Sequence, residues 1–234
     1  MTPATLVLLP GLDGTGNLLA RFVSAVTPSL DARIVRYPTD HPLSYADLFS
    51  SVADAIPQAQ PFVLLAESFS TPLAATLAST NPANLKGLVI CAGFVRNPLR
   101  GWLRYMKSFV QPPLFHIPPP RFLLEHFLIG AHAPRKLRDE LRQTLRSVSP
   151  EVMAFRVRSV MACDATAELA RVRVPTLYLQ AEDDRLVSKS SFEEIRELKP
   201  DTILAVIAAP HFVLQREPAK AAVVIMQFIA GLPI

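Results

Sequence analysis

The sequence predicts an α/β fold, a mainly parallel sheet of about six strands with helices on both faces. Three observations carry this. Short runs of Val, Ile and Leu recur along the chain without apolar/polar alternation, as strands buried on both faces require. Stretches with helical periodicity separate those runs, so successive strands are joined by crossovers. Half of the 234 residues are hydrophobic and only 19% are charged, enough apolar material for one substantial core and too little charge for a disordered chain.

The elements follow in order. Thr5-Leu6-Val7-Leu8-Leu9 is the first strand, followed by a glycine-rich turn and an apolar helix around Leu18 to Val26. Arg33-Ile34-Val35-Arg36-Tyr37 is the second, halted by Pro38, and Tyr45 to Ile56 has helical spacing. Pro61 to Ala66 is the third, with a helix from about Thr71 to Ser79, and Leu85 to Ala92 is the fourth. From Asn97 to about Asp164 the strand-like runs stop, and Pro112-Pro113 and Pro118-Pro119-Pro120 punctuate helix-like pieces. Alternation resumes with Pro175 to Gln180, a helix near Ser190 to Leu198, the strand Thr202 to Ala208, and a last helix opening at Glu217-Pro218. The expected organisation is a core domain of residues 1–96 and 165–234, interrupted by a helical insertion over 97–164.

Charge is unevenly placed. Between Arg96 and Arg158 twelve Lys or Arg stand against four Asp or Glu, a balance of +8, which leaves −4 for the rest of a chain whose net charge is +4. This basic stretch is either a solvated face or a surface for an acidic carrier protein, an acidic substrate or an anionic lipid surface. Arg100, Arg104 and Lys107, at helical spacing beside Trp102 and Phe109, suit an interfacial helix. Trp102, Leu103, Met106, Phe109, Val110, Leu114 and Phe115 either pack the insertion onto the body or face an apolar substrate group. No run approaches the roughly 20 apolar residues of a membrane span. Leu6–Leu9 has no basic segment before it and ends at Pro10-Gly11, so it reads as a strand and not as a secretory signal. Cys91 and Cys163 lack disulfide-framework or metal-site spacing, so they are expected to be ordinary thiols in a reducing compartment, by default the cytoplasm. No nucleic-acid partner is expected.

Four segments carry chemistry. Ala66-Glu67-Ser68-Phe69-Ser70 lies where the third strand passes into a helix. A nucleophile elbow needs a serine on that sharp turn with small residues two positions to either side. Ala66 and Ser70 replace the usual glycines and are both small. On these five residues alone, Ser68 reads equally well as a helix N-cap. Leu9-Pro10-Gly11-Leu12-Asp13-Gly14-Thr15-Gly16 follows the first strand. Acyl transfer needs two backbone N–H donors for the developing oxyanion, and the candidates are Leu12 and Phe69. A phosphate loop is the rival reading, but neither Gly-x-Gly-x-x-Gly nor Gly-x-x-x-x-Gly-Lys-Ser/Thr is present. Asp13, beside Gly14, reads as a turn former. Asp184, in Glu182-Asp183-Asp184 after the fifth strand, is the candidate acid, with Asp183 as the alternative, and His211 after the sixth is the candidate base. The order Ser68, Asp184, His211 is that of a serine hydrolase triad on such a sheet. His41, His116, His126 and His132 read as structural or exposed. No His/Asp/Glu cluster has metal-ligand spacing.

With these residues assembled, nearly the whole chain resembles the α/β-hydrolase superfamily. The loop from Leu9 to Gly16 with Glu67-Ser68 is similar to small esterases and to acyltransferases related to plant phytyl ester synthases. Val174 to Leu177 and Asp184 to Val187, with the insertion, look like the small carboxylesterases that include the pimeloyl-carrier-protein methyl ester esterase. The resemblance implies a cap over the site, no cofactor, and an ester substrate with an apolar group. It also implies two antiparallel leading strands, and because this sequence starts at the strand before the oxyanion loop those two are expected to be missing. The expected activity is hydrolysis of short or medium acyl esters. Acyl transfer by the same residues and a non-catalytic receptor for a small hydrophobe are the alternatives.

Overall fold

Thr5 is the sole polar residue of the first run, and all five residues are buried as strand β1 (Thr5–Leu9). The computed structural model describes residues 4–27, 29–99 and 101–233, with Leu103 described by its backbone alone. Arg100 and the Leu103 side chain, both used in the sequence reading, lie outside the described residues. The chain continues through a short 3₁₀ turn into α1 (Ala20–Val26), then β2 (Ala32–Ile34), α2 (Tyr45–Ala55), β3 (Phe62–Glu67), α3 (Thr71–Ser79) and β4 (Leu85–Cys91). After the insertion come α7 (Thr166–Leu169), β5 (Thr176–Ala181), α8 (Lys189–Leu198), β6 (Ile203–Ile207), α9 (Val213–Arg216) and α10 (Pro218–Ala230). Ser44 starts α2 with a capping box, its hydroxyl accepting from the Asp47 amide while the Asp47 carboxylate accepts from the Ser44 amide.

The six strands form one parallel sheet in the order β2-β1-β3-β4-β5-β6. One face packs on Leu64, Leu88, Ile90, Leu73 and Tyr178, the other on Leu8, Leu65, Val89, Phe22 and Ile225. The chain steps from β1 to β2 in one direction, then crosses back over β1 to lay down β3. The switch point therefore falls between β1 and β3, where open α/β sheets leave a crevice beyond the strand ends.

Two strands differ from expectation. β2 ends at Ile34, because the chain beyond it wraps the glycine loop. There the Tyr37 amide donates to Gly14 O, and the Arg36 guanidinium reaches Thr15 O and Asn17 Oδ1. β6 is an edge strand and leaves Ile203, Leu204 and Val206 partly exposed, unlike the strands covered on both faces.

Between β4 and β5 the described residues form helical segments. These are 3₁₀ turns at Gly101–Phe109 and Pro112–Phe115, α4 (Arg121–Leu124) running into a π turn (Glu125–Ile129), α5 (Arg135–Arg146) and α6 (Pro150–Ala162). Arg96 and Asp164 meet in an antiparallel bridge, and the Ala165 amide donates to Val95 O, so the two ends of the excursion lie side by side. The Gly101–Phe109 stretch is 3₁₀ and not the α-helix its spacing suggested. It is a short piece between Pro98 and Pro112-Pro113, whose nitrogens cannot donate to a longer ladder.

Candidate active site

Ser68 is the residue at which β3 becomes a helix, and its φ is +48°. A non-glycine residue in the left-handed region costs roughly 1–3 kcal/mol and persists only where the surroundings impose it. Here they do. Ala66 is held in the β1 and β4 ladders, and Ser70, fully buried, donates its hydroxyl to Pro10 O and lies 2.7 Å from the Tyr37 hydroxyl. Ser70 thus does more than substitute for a glycine, since it ties the elbow to the loop after β1. The Tyr45 hydroxyl donates to Phe69 O at 2.8 Å, and its ring stacks on Phe69 with centroids 5.0 Å apart.

His211 and Asp184 come to the same point from the loops after β6 and β5. His211 Nε2 lies 3.0 Å from Ser68 Oγ, and His211 Nδ1 lies 2.7 Å from Asp184 Oδ2. A carboxylate can only accept, so Nδ1 carries the hydrogen and Nε2 is left to accept the Ser68 hydroxyl. The other Asp184 oxygen accepts from the amides of Leu186 and Val187 at 2.8 and 2.9 Å. Both the His211 and Asp184 side chains are almost wholly buried. Asp183 is exposed and does not join the set, its amide donating to Ala209 O. His41, His116, His126 and His132 are all exposed.

The loop after β1 closes the site from the other side. Gly14 and Gly16 have φ near +70°, and a Cβ on Gly14 would fall 2.5 Å from an Arg156 nitrogen. Leu12 and Phe69 line the same cavity as Ser68 and His211, and neither backbone amide donates to another described residue. The cavity measures about 210 Å³ and is mainly apolar, with Leu18, Phe94, Leu141, Val160, Met161 and Phe212 among its walls. Three of those six, Leu141, Val160 and Met161, come from residues 97–164.

The roles of two buried charged residues at this site escaped the sequence reading. Arg156, on α6 and only 2% exposed, donates to Leu12 O (3.0 Å), Asp13 O (2.6 Å) and Pro38 O (2.8 Å) and lies over the rings of Tyr37 and Phe69. Burial lowers its pKa, opposed by the negative charge of Asp13. The Asp13 carboxyl is pushed up by burial, and it accepts from the Thr15 amide and hydroxyl. Glu67 Oε1 accepts from Gln215 Nε2 at 2.8 Å, and its Oε2 accepts from the Gly11 amide at 3.3 Å. Burial raises the Glu67 carboxyl to about 7, against the lowering effect of the Gln215 hydrogen bond. Glu67 entered the sequence reading only as part of the Glu67-Ser68 resemblance, and nothing in the local sequence assigns either residue its partners. Arg156 is one of twelve cations in its stretch, and Glu67 occupies a variable place in the elbow pattern.

A parallel sheet that presents a strained serine at its switch point, with an imidazole and a carboxylate in line behind it, defines the α/β hydrolases. Residues 41–226 match the family model described as serine aminopeptidase, S33, and the chain belongs to that family. The match includes Ser68, Asp184 and His211 and starts beyond the Leu9–Gly16 loop. Among solved structures, a lipase-esterase related protein from Clostridium acetobutylicum is 16% identical, with TM-score 0.78 over 97% of this chain and 94% of that one. A carboxylesterase from Nitrososphaera gargenis is 15% identical (TM-score 0.79; 98% and 90% covered). The enol-lactonase of Burkholderia xenovorans LB400 is 14% identical (TM-score 0.80; 98% and 92%). At these identities the likeness is one of fold. No curated protein sequence matches the chain significantly.

Proposed function

We propose that the chain hydrolyses carboxylic esters of short or medium apolar acyl groups through an acyl-enzyme on Ser68. The observation that carries this reading is the hydrogen-bonded series Asp184–His211–Ser68 opening onto an apolar cavity. In the reaction Ser68 Oγ attacks the ester carbonyl as His211 Nε2 takes its proton, and Asp184 stabilises the imidazolium that results. The amides of Leu12 and Phe69 receive the oxyanion, each such donor being worth about 3 kcal/mol to the transition state. His211 then returns the proton to the departing alcohol, and water repeats the sequence to release the acid. The segment 97–164 acts as a cap that supplies one wall of the acyl pocket.

Two features favour a small neutral ester. The cavity is smaller than the roughly 300–1,000 Å³ of sites for drug-sized ligands. Its two lining carboxyls, Asp13 and Glu67, are engaged by Thr15 and by Gln215 and Gly11, which leaves no ready partner for the ammonium of a peptide N-terminus. The same apolar walls favour acyl transfer to an alcohol as a second reading, since they disfavour water. The unpaired thiols Cys91 and Cys163 suit a reducing compartment such as the cytoplasm.

A panel of p-nitrophenyl esters of increasing acyl length tests the proposal. Purified protein is expected to hydrolyse the short and medium members with a fall at long chains, and Ser68→Ala is expected to abolish turnover. No hydrolysis across the panel contradicts it. Added alcohol that diverts product from acid to a new ester identifies the transferase reading.

A further inference from the structure

From Asn97 to Leu124 the chain carries Arg100, Arg104, Lys107 and Arg121 and no acidic residue. In the same stretch Trp102, Tyr105, Phe109, Leu114, Ile117 and Phe122 are each between 64% and 80% exposed. Isolated apolar residues on a surface are ordinary, but six large ones within 21 positions mark a surface that is covered in use. In a 3₁₀ turn, residues three apart eclipse one another, so Trp102 and Tyr105 form one ridge and Arg104 and Lys107 an adjoining one. Among the described residues, neither Arg104 nor Lys107 meets a carboxylate.

We propose that this face docks on an anionic lipid bilayer, with the aromatic and aliphatic side chains entering the headgroup region and the cations meeting lipid phosphates. Charge complementarity selects this occupant. A second copy of the chain would set cation against cation. Side chains exposed to this degree stand proud of the surface, and a fluid headgroup layer moulds itself around them. Aromatic rings with polar tips and Lys or Arg on long stems are the residues that suit this boundary. The segment leaves from Pro98 and Leu99 and returns at Leu128, and all three line the Ser68 cavity. Docking therefore sets the cavity beside the lipid. The proposal does not depend on the esterase reading, because its test needs no turnover.

Trp102 is the sole tryptophan of the chain, so its fluorescence reports on this face alone. The full-length protein is titrated with vesicles of phosphatidylcholine and with vesicles of phosphatidylcholine mixed with phosphatidylglycerol. The mixed vesicles are expected to shift the emission to the blue, brominated acyl chains to quench it, and added salt to reverse both. Arg104→Glu with Lys107→Glu is expected to weaken partitioning at least about tenfold, at roughly 1 kcal/mol per basic residue near such a surface. Phe109→Ser with Ile117→Ser is expected to weaken it while leaving far-UV ellipticity unchanged. No shift with the mixed vesicles overturns the proposal. So does equal binding to both vesicle types, and so does a lipid-free shift that grows with protein concentration, which identifies a second copy as the occupant.

Discussion

Glu67 is the last residue of β3, directly before the proposed nucleophile, and its carboxylate joins the loop after β1 to α9. It accepts from Gly11 in the loop after β1 and from Gln215 just beyond His211. Its cost is pH-dependent. The carboxyl is raised from 4.5 to about 7, so between those values the folded chain keeps a proton that the unfolded chain has released. Stability from this group is therefore full below about pH 4.5 and falls as pH rises through 7, by up to about 3 kcal/mol. Glu67→Gln is expected to flatten that decline in urea unfolding compared near pH 5 and near pH 8, and equal declines in both proteins contradict it. Ser68, Asp184 and His211 were legible at this scale because each lies within four residues of the C-terminal end of a strand, which is a local signal. Glu67 and Arg156 were not, because their partners lie up to 148 and 144 positions away.

At the scale of elements, α6 buries one charged side chain, Arg156, beside its apolar ones. Arg156 donates to the carbonyls of Leu12 and Asp13, and so fixes the direction of the loop that carries one proposed oxyanion amide. Hydrogen bonds to a charged group contribute roughly 1.5–3 kcal/mol each, and three converge here. Arg156→Lys retains the charge but not the planar fork that spans the carbonyls of Leu12, Asp13 and Pro38. It is expected to lower kcat at least about tenfold with KM nearly unchanged, the pattern of an interaction made in the transition state. A rise in KM at constant kcat would instead place Arg156 in ground-state binding. The strands and most helices were readable from apolar runs and prolines. The 3₁₀ geometry of Gly101–Phe109 and the early end of β2 were not, since they depend on neighbours elsewhere in the chain.

Across the whole molecule, the excursion between β4 and β5 and the sheet share packing. Val160 on α6 lies against the same cluster as Leu64, Leu88 and Tyr178, and Arg156 is buried beneath the loop after β1. The two parts are therefore expected to unfold together. Cys91, in β4, and Cys163, at the end of α6, provide separate probes. Burial pushes the Cys163 thiol up to about 12, so both thiols should react slowly until the chain opens. Pulsed thiol labelling across urea should give one midpoint for both, and exposure of Cys163 at clearly lower urea would show that the excursion opens by itself. That the sheet is parallel, and that the candidate residues lie beyond the C-terminal ends of its strands, was readable from the sequence because β-α alternation demands crossovers, whereas the order β2-β1-β3-β4-β5-β6 is seen only in the structure. Which side chains of residues 97–164 line the cavity and which are exposed was not readable, since that depends on how the helical pieces pack. The central claim is that Ser68 is an activated nucleophile, and covalent labelling by a fluorophosphonate, mapped by peptide mass spectrometry, tests it most directly. One adduct is expected, on Ser68, absent in Ser68→Ala and much slowed in His211→Ala. A protein that stays unlabelled, or one labelled elsewhere and unaffected by Ser68→Ala, would contradict it.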